Sequence, residues 1–102
     1  MQTVAPVNIY LDDCRETPKG FIRTYTVEET LECIEENNGN IGILSLDNDL
    51  GEGIPEGRKV LDWIDEQVHT NQYFVLPKKI VVHSSNGPAG EYMRKLINRL
   101  YA

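Results

Sequence analysis

The sequence predicts an α/β fold of three layers, in which helices cover a mainly parallel sheet of four strands. Short apolar segments alternate with longer segments whose apolar residues recur at helical spacing. The 102 residues match the length of one compact domain, and the 40% hydrophobic and 25% charged composition is ordinary for a globular protein. We therefore expect a single domain over residues 1–102.

The first half of the chain is predicted to contain three strands and one helix. Residues 7–11 and 21–25 have the composition of strands, and the second shows roughly alternating apolar and polar positions. Thr26 precedes a helical segment and Glu29 follows three residues later, which is the pattern of a capping box. The near-continuous apolar run at 41–46 indicates an interior strand that is covered on both faces.

The second half is predicted to contain a helix, a fourth strand and a final helix. The first of these helices ends near His69, and the strand occupies residues 79–83. The apolar stripe of the final helix consists of Met93, Leu96, Ile97 and Leu100. Because strands and helices alternate, right-handed crossovers predict the strand order 2-1-3-4 of a trimmed flavodoxin-like sheet. Only the link between the first two strands is too short for a full crossover helix.

Composition excludes several classes of protein. No apolar run approaches the ~20 residues that a membrane helix needs. Residues 1–6 lack the basic flank and apolar stretch of a signal peptide. The two cysteines, Cys14 and Cys33, provide neither a disulfide framework nor a zinc quartet. We therefore expect reduced thiols and a cytoplasmic protein.

The net charge of −6 is distributed unevenly along the chain. Residues 1–77 contain 15 acidic and 5 basic residues, whereas residues 78–102 contain one acidic and five basic residues. The basic end could face an anionic ligand. Alternatively, its charges, which include Arg94, Lys95 and Arg99, form only the solvated face of the last helix.

Polar clusters follow three of the four predicted strands, at 12–13, 47–49 and 83–86. In open α/β sheets, ligands bind outside the carboxyl ends of the strands where the strand order reverses, so these clusters are expected to converge. Several carboxylates in one crevice require a cation or protons, and oxygen ligands favour Mg²⁺, Mn²⁺ or Ca²⁺. Alternatively, such aspartates only satisfy backbone N–H groups in turns. The expected metal ligands are Asp12, Asp13, Asp47 and Asp49.

The third cluster suggests proton transfer and phosphate binding. His83 and Ser84 are adjacent and point to opposite faces of a strand, which argues against a serine hydrolase pair. His83 is expected either as a general acid or base, or as a strand-end histidine bonded to a backbone carbonyl. The start of the following helix can bind a phosphate, although its glycines could simply shape the turn. The candidate phosphate ligands are Ser84, Ser85, Asn86, Gly90 and Arg94.

Three motifs resemble those of the cyclic-phosphate-processing receiver domain family, whose members are small receiver-like proteins of prokaryotes and their viruses. The motifs are YLDDCR at 10–15, SLDNDLG at 45–51 and HSSN at 83–86, followed by Gly90 and Met93. The resemblance covers nearly the whole chain, and the motifs keep their order and their positions at strand ends. Asn48 stands where the family usually has histidine.

The resemblance implies a receiver-like domain that binds a divalent cation, Mg²⁺ or Mn²⁺, through strand-end aspartates. Asp49 competes with Asp47 as the equivalent of the phosphoacceptor. The fifth strand of receivers and its terminal lysine have no counterpart, so phosphorylation by a kinase is not expected. The residues that match the receiver acidic pocket are Asp12, Asp13 and Asp47, and Ser84 matches the strand-four hydroxyl.

Our leading hypothesis is a metal-dependent phosphoesterase-like domain that acts on cyclic phosphates of nucleotides or RNA ends. Asp47 and His83 would be its catalytic residues. The alternative is a non-catalytic receiver-like module that senses a ligand or binds a protein. The expected partner is a phosphate-containing small molecule or an RNA end, and the exposed sheet edge would also allow a homodimer or a partner protein.

Overall fold

The computed structural model describes residues 5–47, 57–84 and 87–102, and it confirms the predicted α/β class. Most elements begin and end within two residues of the predicted positions, and the last strand includes one residue more. In chain order, the elements are β1 (Val7–Leu11), β2 (Phe21–Thr24), α1 (Val27–Glu36), β3 (Ile41–Asp47), α2 (Arg58–Thr70), β4 (Lys79–Ser84) and α3 (Gly87–Leu100).

The four strands form one parallel sheet in the order β2-β1-β3-β4, as predicted. The link between β1 and β2 contains no helix, yet it still joins two parallel neighbours. Because all the strands run in the same direction, their carboxyl ends lie at one edge of the sheet. The ends of β1, β3 and β4 therefore come together, and they carry Asp12, Asp47 and His83.

The core fills the space between one face of the sheet and the helices. Alternate residues of the strands point to this face, so Ile9 and Leu11 of β1 lie beside Leu44 and Leu46 of β3. The helices contribute apolar residues at helical spacing. The buried helical members of the core are Val27, Ile34, Val60, Leu61, Ile64, Met93 and Leu96. The last helix thus uses Met93 and Leu96 as predicted, and Ile97 and Leu100 pack against the core at its margin.

All three helices cover the same face of the sheet. The connections from β2 to β3 and from β3 to β4 cross the sheet in the same direction, so right-handed crossovers place α1 and α2 on one side. Helix α2 contacts both α1 and α3, which agrees with a single helical layer. The second helical layer of the predicted three-layer arrangement is not formed by the described residues, because the link between β1 and β2 has no helix.

The opposite face of the sheet carries polar and aromatic side chains. Tyr10 on β1 pairs in register with Ser45 on β3 and with Arg23 on β2. These residues alternate with the core positions, so they lie on the face away from the helices. His83 of β4 stacks on Tyr10 and bonds Ser45, which places it on this face too. The face without a helix therefore leads directly to the polar edge of the sheet.

The predicted capping box fixes the start of α1. The hydroxyl of Thr26 accepts a hydrogen bond from the backbone N–H of Glu29 at 3.1 Å. In return, the Glu29 carboxylate accepts from the N–H of Thr26 at 3.1 Å and from the N–H of Tyr25 at 2.8 Å. A cap of this kind stabilises a helix by about 1 kcal/mol. It also fixes the backbone where β2 passes into α1.

Candidate functional site

Asp12 is the centre of the polar cluster at the carboxyl edge of the sheet, and it is fully buried. Its Oδ1 accepts hydrogen bonds from the backbone N–H groups of Cys14 at 2.9 Å and Arg15 at 3.0 Å. Its Oδ2 accepts from Arg15 Nη1 at 3.1 Å and contacts His83 Nε2 at 2.8 Å. Burial alone would raise the pKa of Asp12, but these four hydrogen bonds hold that pKa well below its usual range. Asp12 is therefore a buried carboxylate.

Arg15 brings a positive charge into the cluster. Its Nη1 lies 3.1 Å from Asp12 Oδ2 and 3.8 Å from Oδ2 of Asp47, which is itself 2% exposed at the end of β3. The hydrogen bond to Asp12 raises the pKa of Arg15. Half of the Arg15 side chain is exposed, so the guanidinium faces solvent on one side and two carboxylates on the other. Its motif was recognised in the sequence, but its place between the two carboxylates was not predicted.

His83 is held by two side chains rather than by a backbone carbonyl. Its Nε2 faces Asp12 Oδ2 at 2.8 Å and its Nδ1 faces Ser45 Oγ at 2.7 Å. Because an ionised carboxylate can only accept a hydrogen bond, Nε2 carries a proton. In the neutral ring, Nδ1 then accepts the Ser45 hydroxyl. The ring also stacks on Tyr10, with centroids 4.2 Å apart and planes 12° from parallel.

Ser45, His83 and Asp12 thus form a hydrogen-bonded series that the sequence analysis did not predict. The serine weighed as a partner of His83 was its chain neighbour Ser84, which points to the opposite face of the strand. Strand alternation was the available signal, since Ser45 lies two residues before Asp47 on β3 and faces the same side. Ser45 is only 3% exposed, so its hydroxyl is positioned to orient His83 rather than to attack a substrate.

The donor set at this edge fits a divalent cation. One ligand atom each from Asp12, Asp47 and His83 lie within 4.8 Å of one another. The two carboxylates suit Mg²⁺ or Mn²⁺, which prefer oxygen ligands. Asp12 Oδ2 already contacts Arg15 and His83, so a cation at that oxygen would compete with the guanidinium. The half-exposed Arg15 side chain has room to move away.

Asp13 lies beside this cluster but outside its buried part. Asp12, Asp13 and Cys14 form a second group whose ligand atoms lie within 4.8 Å, and both Asp13 and Cys14 are exposed. Partial loss of hydration at the thiol and the nearby carboxylates of Asp13 and Asp12 raise the pKa of Cys14, which makes a thiolate ligand unfavourable. An oxygen ligand from Asp13 remains compatible with the geometry.

The predicted phosphate ligands are only partly described. Ser85 and Asn86 lie outside the described residues, as does the predicted metal ligand Asp49. Ser84 pairs in register with Asp47, so the backbone of β4 reaches the acidic edge. Gly90 is buried in α3. Arg94 is exposed on α3 and borders a groove along β4 with Val81, and its phosphate contact stays a prediction.

The basic residues of α3 do not form one continuous site. Arg99 Nη2 lies 3.8 Å from Asp65 Oδ2 of α2. Lys95 is exposed on the same helix as Arg94. The basic residues of α3 named here are therefore either paired with an acidic residue or exposed to solvent on the helix surface. Among the described residues, no helix combines the length and apolar character needed to cross a bilayer.

A parallel sheet ordered 2-1-3-4, with buried aspartates at the carboxyl ends of its first and third strands, defines a receiver-like domain. Residues 7–99 match the family described as the cyclic-phosphate processing receiver domain. The chain belongs to this family. Searches of curated proteins and of solved structures found no match.

Proposed function

We propose that this domain is a metal-dependent phosphoesterase that acts on cyclic phosphates of nucleotides or RNA ends. The observation that carries the proposal is the cluster of Asp12, Asp47 and His83, whose ligand atoms lie within 4.8 Å of one another at the carboxyl edge of the sheet. Membership of a cyclic-phosphate processing family supports the choice of substrate.

Asp12 and Asp47 would hold one divalent cation, with Asp13 and Asp49 as further candidate ligands, and His83 would remain free of the ion. When bound, a divalent cation polarises a phosphoryl oxygen and lowers the pKa of a coordinated water. The two buried carboxylates supply the negative charge that such an ion requires. Magnesium or manganese matches these oxygen ligands best.

Arg15 is the described cation best placed to meet the phosphate. Its guanidinium is half exposed, and its planar set of donors suits the oxygens of a phosphate. Ser84, Ser85, Asn86 and the backbone N–H groups at the start of α3 remain proposed ligands of the non-bridging oxygens. These donors would stabilise the charge that develops on phosphorus-bound oxygens.

Hydrolysis of a cyclic phosphate forms one bond from water oxygen to phosphorus and breaks one bond from phosphorus to a sugar oxygen. The water loses a proton and the sugar oxygen gains one. We assign this proton movement to His83 in its doubly protonated form: Nε2 gives its proton to the sugar oxygen, and the ring, then neutral, afterwards takes up the proton that the water loses. Its Nε2 now bonds Asp12, so transfer to the sugar oxygen requires Nε2 to exchange that partner, while Ser45 keeps hold of Nδ1.

Turnover of adenosine 2′,3′-cyclic phosphate with Mg²⁺ or Mn²⁺ tests the proposal. We expect Asp47→Asn and His83→Ala to abolish turnover while circular dichroism shows a folded protein. Asp62→Asn and His69→Ala are matched controls, because both residues are exposed on α2. A His83→Ala protein that cleaves at the wild-type rate would remove the histidine from the mechanism, and a wild-type protein that never cleaves would refute the activity.

A non-catalytic receiver-like module is the second candidate, and one observation favours it. Arg15 already places a positive charge between Asp12 and Asp47, and both nitrogens of His83 have partners. The guanidinium of Arg15 can therefore offset part of the negative charge of Asp12 and Asp47 without a metal ion. Calorimetric binding of the cyclic nucleotide without turnover, in the presence of Mn²⁺, would support this candidate over the first.

A further inference from the structure

We propose that Tyr25 is a stacking platform for the base of the substrate, so that the ligand is a nucleotide or an RNA end rather than a cyclic phosphate without a base. This inference rests on the proposed function, because it takes the phosphate to lie at Asp12 and Asp47. It adds a second recognition element that the acidic cluster alone does not provide.

Tyr25 lies at the margin of the acidic site. The backbone N–H of Asp12 donates to the carbonyl of Thr24 at 3.2 Å, and Tyr25 is the next residue along the chain. The backbone carbonyl of Asp12 in turn accepts from Arg23 Nε at 2.8 Å. The end of β2 is thus bonded directly to the residue at the centre of the cluster, which places Tyr25 at the same edge.

The ring of Tyr25 is supported by a fixed cation. The guanidinium carbon of Arg23 lies 4.6 Å from the ring centroid. Arg23 Nη1 donates to the carbonyl of Arg15 at 2.5 Å and to the hydroxyl of Thr17 at 2.8 Å. Because three hydrogen bonds hold this guanidinium, and the capping box holds the backbone N–H of Tyr25, little further ordering is needed when a ligand binds.

Tyr25 is also the exposed end of a series of π systems that starts inside the site. His83 stacks on Tyr10 at 4.2 Å, Arg23 lies 5.9 Å from the Tyr10 ring, and Arg23 lies 4.6 Å from the Tyr25 ring. Tyr10 is 6% exposed, whereas Tyr25 is 54% exposed. The base of a ligand could therefore stack on Tyr25, whereas Tyr10 is too buried for such a contact.

The chemistry of the platform suits a nucleobase. Every base has a π face, so an exposed tyrosine backed by arginine binds bases with little dependence on sequence. The same β1–β2 segment carries Arg15, whose half-exposed guanidinium faces the proposed phosphate position. A nucleotide offers both groups that these residues recognise, an aromatic ring and an adjacent anion.

The experiment compares adenosine 2′,3′-cyclic phosphate with ribose 2′,3′-cyclic phosphate, which lacks the base, for the full chain with Mn²⁺. We expect a lower KM and tighter calorimetric binding for the adenosine compound. Tyr25→Ala should weaken binding of the adenosine compound about tenfold, toward that of the base-free compound. Tyr25→Phe should retain the preference, and Tyr73→Ala is the control, since Tyr73 is 76% exposed in the turn after α2.

The outcomes separate this inference from the proposed function. If the wild type cleaves or binds both compounds equally, or if Tyr25→Ala weakens both alike, the base platform is refuted and the phosphoesterase proposal survives. Because affinity is measured alongside turnover, a protein that binds without cleaving still decides the role of Tyr25. If neither compound binds, both proposals fail.

Discussion

Arg15 Nη1 lies 3.1 Å from Oδ2 of Asp12 and so occupies the side of this carboxylate that faces Asp47. A buried carboxylate requires hydrogen bonds or an opposite charge, and here the chain supplies both from residues directly after Asp12. The guanidinium and a divalent cation would use the same oxygen. Competition between them is therefore a direct consequence of the geometry.

Removal of the Arg15 charge should tighten the binding of Mn²⁺. We expect Arg15→Gln to raise the affinity severalfold in calorimetry, because the two carboxylates lose their competing cation. Arg15→Lys keeps a charge and should bind the ion more nearly as the wild type does. Lys95→Ala, on the exposed surface of α3, should have no effect. An Arg15→Gln protein with weaker Mn²⁺ binding would show that Arg15 supports the site instead of competing for it.

Loss of the Ser45 hydroxyl should remove one of the two hydrogen bonds that hold the His83 ring. Ser45→Ala leaves the partly buried Nδ1 of His83 without its partner, which we expect to lower the free energy of unfolding by about 1 kcal/mol in urea denaturation. Nitrogen-15 NMR of the wild type should report a proton on Nε2, since that nitrogen faces the Asp12 carboxylate. A ring that carries its proton on Nδ1 alone would contradict this assignment.

Tyr101 should make stability depend on pH in the alkaline range. Its hydroxyl donates to the carbonyl of Pro77 at 2.5 Å, and the partial burial of this side chain, which is 40% exposed, raises the pKa of Tyr101 to about 12. Because the folded pKa lies above the ordinary value of 10.0, the neutral phenol stabilises the fold fully below pH 10. This stabilisation is lost as the pH rises from about 10 to 12.

The Tyr101→Phe variant tests this dependence. At pH 8 the free energy of unfolding of the variant should be lower than that of the wild type by up to about 1 kcal/mol. This difference in the free energy of unfolding should become smaller above pH 10. Absorbance at 295 nm should show a late phenolate transition that is smaller in the variant, because the buried Tyr10, whose pKa is also raised, still titrates there. Tyr73→Phe is the control, since Tyr73 is largely exposed. A constant gap at all pH values would contradict the prediction.

Much of the fold followed from local patterns. The capping box of Thr26 and Glu29 and the apolar run of β3 depend on neighbouring residues alone, so they could be read directly from the chain. Strand order followed from the alternation of strands and helices, and it placed Asp12, Asp47 and His83 at one edge. Their meeting was predictable because parallel strands end on the same side of a sheet.

Other features depend on contacts between residues that are distant in the chain. The bond from Ser45 to His83 joins residues 38 positions apart, and it depends on the register of β3 with β4, which shifts after Leu46. The single helical layer depends on which links between strands contain a helix. These are properties of the packed sheet, and no local pattern specifies them.

By itself, the sequence determined the class of fold, the order of the strands and the edge at which acidic residues meet. Only the tertiary structure decided that Arg15 enters the acidic cluster, that Ser45 orients His83, and that Tyr25 ends an aromatic series beside Asp12. The reason is physical. Periodicity fixes which face of an element a residue occupies, whereas the partner of a buried polar group depends on the backbone path of loops and on neighbours from other strands.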